Sequence, residues 1–150
     1  MRVKRVESKG GNTHGIRRQV NRFAGNTTLT MGKVQDLFAY QKGFKLSMAI
    51  FHRTKKFPKE EKYSMTDQIR RSSRSVVTNL AEAYRRRRSQ KYFEAKLNDC
   101  ETELCETQVW LDFALACEYL QQHEYDELYA LAEEVGSLLN FMANNPKKFL

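Results

Sequence analysis

The residues with the clearest chemical potential form a basic cluster in the middle of the chain. Its seven members are Arg70, Arg74, Arg85, Arg86, Arg87, Arg88 and Lys91. Four consecutive arginines exceed what a helix C-terminus needs to offset its dipole, because neighbouring cations repel one another. A guanidinium group binds phosphate through a planar fork of donors, and Tyr84 and Tyr92 flank the run as stacking platforms. The pattern predicts a nucleic-acid-binding surface; the alternative is a patch that receives the acidic half of a neighbouring subunit.

Carboxylates at helical spacing raise the question of a metal site. Glu103 and Glu106 share one helical face. A ferritin-type di-metal site needs Glu-x-x-His on two helices, and the sequence contains no such motif. Internal ion pairing is therefore the favoured interpretation, in a structural polar network of Arg71, Asn79, Glu82, Glu103 and Glu106. We expect no metal, no cofactor, no small-molecule substrate and no catalysis, because no phosphate loop or nucleophile motif appears either.

The three cysteines also lack the spacing of a chemical site. Cys100, Cys105 and Cys117 fall in one predicted helix without a C-x-x-C motif, which predicts that they fill the core. Their odd number and the absence of a secretory apolar region indicate a reducing, cytoplasmic environment. No apolar run approaches the length of about 20 residues that a membrane span needs.

Charge is segregated along the chain. Residues 97–146 contain no Lys or Arg and 11 Asp and Glu, whereas residues 1–96 contain 24 Lys and Arg against 7 Asp and Glu. One half therefore predicts a cationic surface and the other an anionic one. That polarity favours either a polyanionic ligand on the basic side or subunits that dock basic face to acidic face. The simpler interpretation is that two solvated helix faces differ in sign.

Four predicted helices must position these residues. Apolar residues recur at three- and four-residue spacing over about 36–55, from the Ser64–Asp67 capping box to about Arg86, over about 90–118, and over about 123–144. Four helices of this length joined by short loops can bury their apolar faces only by packing against one another. We predict an all-α, up-down-up-down antiparallel four-helix bundle over residues 34–146. The predicted stripe of helix one is Leu37, Tyr40, Phe44, Met48 and Phe51.

Residues 1–33 have a different composition. Residues 1–30 contain seven basic residues and one acid without an apolar period, which predicts a disordered basic tail. Met31 directly precedes the first amphipathic segment, so translation starting there is one interpretation. A basic arm that grips nucleic acid is another, and an organellar transit peptide is a weaker third.

The third helix is apolar on nearly every side over residues 109–117. A bundle helix normally keeps one polar face, so we expect a partner subunit to cover this stretch. Trp110 and Phe113 are the predicted oligomer interface. The alternative is a surface tryptophan folded back along its own helix.

Four motifs then appear in a fixed order. They are Asp36-Leu37 with Tyr40-Gln41-Lys42, Phe57 to Tyr63, Gln68-Ile69-Arg70-Arg71 with Ser75, Asn79, Ala81 and Glu82, and Glu103-Leu104 with Glu106-Thr107-Gln108. Over about residues 34–144 the chain resembles the four-helix bundle family encoded by intervening sequences in bacterial 23S ribosomal RNA genes. A more distant similarity is to the accessory protein of diversity-generating retroelements. Ala83 stands where the family usually has Gly, which allows helix two to continue into the arginines.

The resemblance implies a bundle that closes into a ring, with a homopentamer favoured, suspected nucleic-acid binding and no known catalysis. The expected function is therefore non-enzymatic binding of nucleic acid, with RNA favoured over DNA. The alternative is an oligomeric protein–protein adaptor whose basic and acidic halves only assemble the ring.

Overall fold

A computed structural model describes residues 32–150 of the chain. Four α-helices follow one another: α1 is Phe38–Thr54, α2 is Asp67–Arg85, α3 is Gln90–Ala116 and α4 is Gln122–Asn144. Each helix packs on the next one in sequence, and α4 closes the bundle against α1. The predicted all-helical bundle is confirmed, without a strand in the part described. Most of the predicted basic tail, residues 1–31, lies outside the described residues.

Short helical turns complete the described chain: Val34–Asp36, Lys59–Glu61, Pro146–Lys148 and the π-helix Lys62–Thr66. The predicted capping box at Ser64 is wrong, because Ser64 already lies inside the helical turn that leads into α2. Glu61 performs the capping instead. Its carboxylate accepts the backbone N–H of Met65 at 3.3 Å and the hydroxyl of Ser64 at 2.6 Å. Within residues 32–150, every helix is too short or too polar to span a bilayer.

The buried faces of α2 and α3 are the ones on which apolar residues recur at three- and four-residue spacing. On α3, Phe93, Leu97 and Cys100 begin a fully buried stripe that continues to Ala114. The facing stripe of α2 contains short side chains, among them Ser72 and Val76, which are 0% and 1% exposed. Short residues such as Ser72 let the backbones of α2 and α3 approach closely at these positions.

The buried face of α1 is not the one predicted from hydropathy. The side chains of Phe44 and Met48 are 52% and 39% exposed, so their placement in the core is wrong. The buried residues are Ala39, Gly43, Leu46, Ser47, Ile50 and Thr54. A Cβ on Gly43 would lie 3.3 Å from Cγ2 of Val77, tighter than an ordinary contact. Close approach of α2 therefore favours glycine at position 43 of this face.

Buried hydroxyl groups join α2 to both of its neighbours. The Ser47 hydroxyl on α1 donates to the Ser73 carbonyl at 2.8 Å. The Thr107 hydroxyl on α3 donates to the Ser72 hydroxyl at 2.8 Å, and Ser72 donates to the Ile69 carbonyl. A buried hydroxyl costs free energy unless it is hydrogen-bonded, so these contacts fix the spacing and register of the helices.

Ion pairs bridge the basic and acidic halves along two seams of the bundle. On the α1–α4 seam, Lys42 pairs with Glu134 at 3.0 Å, and Arg53 pairs with Glu124 at 2.9 Å and Glu127 at 3.0 Å. The bundle places basic α1 beside acidic α4 and basic α2 beside acidic α3. Part of the charge segregation in the sequence is thus used for pairing within one chain.

The residues predicted as one polar network occupy two places on the α2–α3 seam. Arg71 pairs with Glu103 at 3.2 Å and with Glu106. Farther along, Lys96 contacts Glu82 at 2.8 Å and Asn79 at 3.2 Å. Lys96 was not among the predicted residues of the network, although it lies three residues after Phe93 on the same helix. Glu82, Glu103 and Glu106 each have a cation of the same chain as a partner.

Removal of the Thr107 hydroxyl should test how much the buried hydrogen bonds contribute. Thr107→Val keeps the shape and should lower the free energy of unfolding by about 1–2 kcal/mol. Ser72→Ala removes the same bond, so the double variant should lose less than the sum of the single losses. Urea unfolding measures all three.

The control for this cycle is Thr102→Val on the exposed side of α3. Thr102 donates to the carbonyl of Asn98 within its own helix at 3.0 Å, and so it has no role between helices. This change should cost less than about 0.5 kcal/mol. Fully additive losses for Ser72 and Thr107 would contradict a shared hydrogen bond.

The stability of the α2–α3 seam should depend on pH. The hydrogen bond from the Arg71 guanidinium lowers the pKa of the Glu106 carboxyl. Because the folded-state pKa is below the unfolded value of about 4.3, the contribution is present above that pH. It is lost as pH falls through the folded-state pKa. Urea unfolding of the wild type and Glu106→Gln should therefore show a smaller difference at pH 3 than at pH 7.

A matched control is Glu101→Gln, which removes an exposed carboxylate from the same helix. Its effect on the free energy of unfolding should change little between the two pH values. A Glu106→Gln effect that is equally large at both pH values would show that charge pairing with Arg71 is not its cause.

Candidate nucleic-acid interface

The corner between α2 and α3 is built from arginines. Helix α2 continues through Ala83 and ends at Arg85, and Arg86 terminates it. The turn then reaches Ser89, whose hydroxyl accepts the backbone N–H of Tyr92 at 3.3 Å and begins α3. We call Arg85, Arg86, Arg87, Arg88 and Lys91 the corner cluster. The N-terminal end of α3 adds a partial positive charge to it.

Two arginines of the corner cluster stack on tyrosines. The guanidinium carbon of Arg86 lies 4.4 Å from the ring centre of Tyr92, and that of Arg87 lies 3.9 Å from Tyr84. Arg87 also donates to the Tyr84 carbonyl. A stacked guanidinium loses less conformational freedom when it binds a ligand, and its edge keeps donors for phosphate.

Four cations of the corner cluster take no part in the ion pairs that join the helices. In residues 32–150, no ion pair joins Arg85, Arg86, Arg88 or Lys91 to an Asp or Glu. The residues from 83 to 93 contain no Asp or Glu at all. Exposed cations grouped without nearby carboxylates in the sequence produce the positive potential that attracts polyanions.

Arg70 and Arg74 lie away from this corner. Arg70 donates to the Thr54 hydroxyl at 2.8 Å, and its guanidinium carbon is 4.8 Å from the ring centre of Phe51. Arg74 and Lys55 approach the same ring, at 6.0 and 4.8 Å. Arg70 precedes Arg85 by 15 residues, which is about 22 Å along a helix. The structure therefore divides the seven predicted cations into two separate groups.

Two further cations lie at the same end of the bundle as the corner cluster. Phe149 stacks on Phe93 of α3 with ring centres 6.3 Å apart, which brings Lys147 and Lys148 to that end. Neither lysine belongs to the predicted basic cluster. The available signal was Phe149, an apolar residue soon after the helix break at Pro146.

The two predicted interface residues lie on the outer side of α3. Phe113 is 52% exposed and neighbouring Val109 is 45% exposed. Trp110 is half-buried, with its ring centre 5.8 Å from that of Phe113. The indole N–H donates to the Glu106 carboxylate at 3.3 Å. These residues form an apolar surface patch, and Phe44 and Met48 form a second one on α1.

Metal-ligating side chains do not converge in residues 32–150. No cluster of three or more His, Cys, Asp or Glu side chains could hold a metal ion in this part of the chain. Burial raises the pKa of the Cys100 thiol to about 12, so this cysteine is a thiol at neutral pH. The prediction that Cys105 and Cys117 fill the core is wrong, because both are exposed.

Comparison with known proteins agrees with this architecture. Residues 35–141 match the family described as 23S rRNA-intervening sequence protein. Among six solved chains that match is a protein with unknown function from the S23 ribosomal protein family of Bacteroides thetaiotaomicron VPI-5482. It is 28% identical, with a TM-score of 0.65 over 71% of this chain and 95% of that one. No protein of curated function matches. Because the family match spans most of the sequence, the chain belongs to the 23S rRNA-intervening sequence protein family.

Proposed function

We propose that this chain is a non-enzymatic, ring-forming bundle protein that binds nucleic acid, RNA in preference to DNA. The observation that carries the proposal is the corner cluster, in which Arg86 and Arg87 stack on tyrosines. Its members Arg85, Arg86, Arg88 and Lys91 form no ion pair with a carboxylate of residues 32–150. Phosphate contacts supply most of the affinity in such a surface. Planar guanidinium and phenol groups add stacking against unpaired bases, which is the usual mode of RNA recognition.

The contrast with the seams of the bundle supports this assignment. Arg53, Arg71 and Lys96 are each held by carboxylates of the same chain. The bundle thus neutralises cations where they stabilise helix packing. At the corner, four consecutive arginines repel one another, and this repulsion is relieved when a polyanion binds.

Two apolar patches on different helices support assembly into a ring. One contains Phe44 and Met48 on α1, and the other contains Val109, Trp110 and Phe113 on α3. Different patches that meet head to tail generate a closed ring when the rotation between copies closes. A pentamer is the favoured number because of the family resemblance. The free, exposed thiols of Cys105 and Cys117 suit a reducing cytoplasm.

The alternative function is a protein–protein adaptor in which basic and acidic surfaces of neighbouring copies assemble the ring. It draws on the exposed acids of α4, such as Glu127 and Glu133. The two functions differ in what the corner cluster touches. In the adaptor its arginines are covered by the next copy, and in the nucleic-acid-binding protein they remain accessible after assembly.

Removing the four consecutive arginines should weaken nucleic-acid binding. The variant Arg85→Gln/Arg86→Gln/Arg87→Gln/Arg88→Gln loses up to four phosphate contacts. Counterion release then predicts that the log–log slope of affinity against salt flattens by about 3 on single-stranded RNA. Filter binding at several salt concentrations, with the variant's mass measured in parallel, checks this result.

The matched control removes four exposed lysines elsewhere: Lys45→Gln/Lys56→Gln/Lys59→Gln/Lys62→Gln. It changes the net charge equally and should leave most of the salt slope intact. The adaptor function predicts negligible affinity in the unchanged protein and a disrupted ring in the arginine variant. Absence of salt-sensitive binding by the unchanged protein would overturn our proposal.

The apolar patch on α3 should hold the copies together. Phe113→Glu places a charge on an exposed position, so the bundle should fold while the oligomer dissociates. Trp110→Ala should weaken assembly in the same direction. Light scattering at micromolar concentration measures the mass, and circular dichroism verifies the helical content.

Thr102→Glu is the control for assembly, since it adds the same charge to an exposed polar position of α3. It should leave the mass unchanged. A monomer mass for the unchanged protein would refute ring formation. An intact oligomer in both the Phe113 and Trp110 variants would refute only the choice of this patch.

A further inference from the structure

The end of the chain folds back onto the corner of the bundle. After α4, Pro146 begins a short 3-10 helix that ends at Lys148. The ring of Phe149 then stacks on that of Phe93, with ring centres 6.3 Å apart and ring planes 24° apart. The ring of Phe149 also lies nearly perpendicular to that of Phe141 of α4, with ring centres 6.3 Å apart. We call residues 146–149 the C-terminal clasp.

The clasp is anchored to the first turns of α3. Phe93 is fully buried, and it lies only two residues after Lys91 of the corner cluster. A hydrophobic contact to a buried ring fixes the position of a short segment far better than a polar surface contact would. Two cations separated from the corner cluster by more than fifty residues are thereby held at the same end of the bundle.

The two chain segments that meet at this end carry charge of one sign, and Glu82 and Glu94 border the first of them. Residues 83–93 and 135–150 together contain seven Lys and Arg and no Asp or Glu. The Nζ of Lys148 lies 5.0 Å from the ring centre of Phe141, and Lys147 is exposed. An ammonium group above an aromatic face keeps its charge and can still donate hydrogen bonds to an anion.

We propose that Lys147 and Lys148, positioned by Phe149, form a second side of the phosphate-binding surface opposite the corner cluster. The strand of RNA then contacts cations from two distant parts of the sequence. This inference rests on the proposed function and adds residues to the same site. The clasp lies beyond residues 35–141, which are the part matched to the family.

Positioning by Phe149 matters because a free tail would bind phosphate less well. Lysines on an unanchored segment lose conformational entropy when they meet the ligand, whereas anchored lysines have lost it on folding. Phe149 is a positioning residue and does not touch the ligand itself. Its role can be separated from charge by variants that keep both lysines.

The first test removes the charges and keeps the anchor. Lys147→Gln/Lys148→Gln should flatten the salt slope by about 1.4 on labelled single-stranded oligouridylate, since two phosphate contacts are lost. The affinity near 0.1 M salt should fall on the order of twentyfold. Lys56→Gln/Lys59→Gln removes the same charge from the opposite end of the bundle and should have little effect. Fluorescence anisotropy gives both quantities.

The second test removes the anchor and keeps the charges. Phe149→Ala should reduce the affinity and flatten the salt slope, although the net charge is unchanged. Phe149→Tyr keeps the stacked ring and should bind like the unchanged protein. Circular dichroism melting of each variant establishes that the bundle is folded at the temperature of the titration.

The outcomes distinguish the clasp from the proposed function. If the unchanged protein shows no salt-sensitive binding, both are overturned. If it binds through the arginines while the lysine pair variant and Phe149→Ala bind normally, only the clasp is overturned. If the lysine pair variant is weakened and Phe149→Ala is not, positioning by Phe149 is refuted.

Discussion

The close approach of α2 to both of its neighbours is the constraint on which the rest of the bundle depends. Hydroxyl groups at Ser47, Ser72 and Thr107 need partners on an adjoining helix, and in residues 32–150 every buried polar side-chain atom has a hydrogen-bond partner. Short side chains at these positions permit these distances. Phe44 and Phe113 lie instead on the outer surface.

The sequence predicted the helices better than it predicted their orientation. The α3 stripe from Phe93 to Ala114 was predictable because its buried residues are also its most apolar ones. The α1 face was not, since hydropathy ranks Phe44 above Gly43 and takes no account of how near Val77 lies. Only part of the candidate site could be predicted from the sequence. Helical spacing groups Arg70 with the corner cluster, but only the packing around Phe51 shows that it is occupied elsewhere.

The charge distribution serves two purposes that the sequence alone could not separate. Basic α1 lies beside acidic α4, and cations such as Arg53 form ion pairs that join the two helices. At the α2–α3 corner, Arg85, Arg86, Arg88 and Lys91 take no part in the ion pairs that pack the helices. The apolar periodicity of the sequence could not predict the C-terminal clasp, because a single aromatic residue after Pro146 makes no repeating pattern. Its partner, Phe93, became identifiable only when the register of α3 was known.

The intrinsic fluorescence of Trp110 can report on the apolar patch of α3. It is the sole tryptophan of the sequence, and its indole lies between the exposed ring of Phe113 and the carboxylate of Glu106. Its emission is therefore sensitive to whether water or another apolar surface covers that patch. Tyr92 precedes it by 18 residues, about 27 Å along the helix, which is too far for a base stacked at the corner to touch it. Intrinsic fluorescence can thus follow assembly separately from ligand binding.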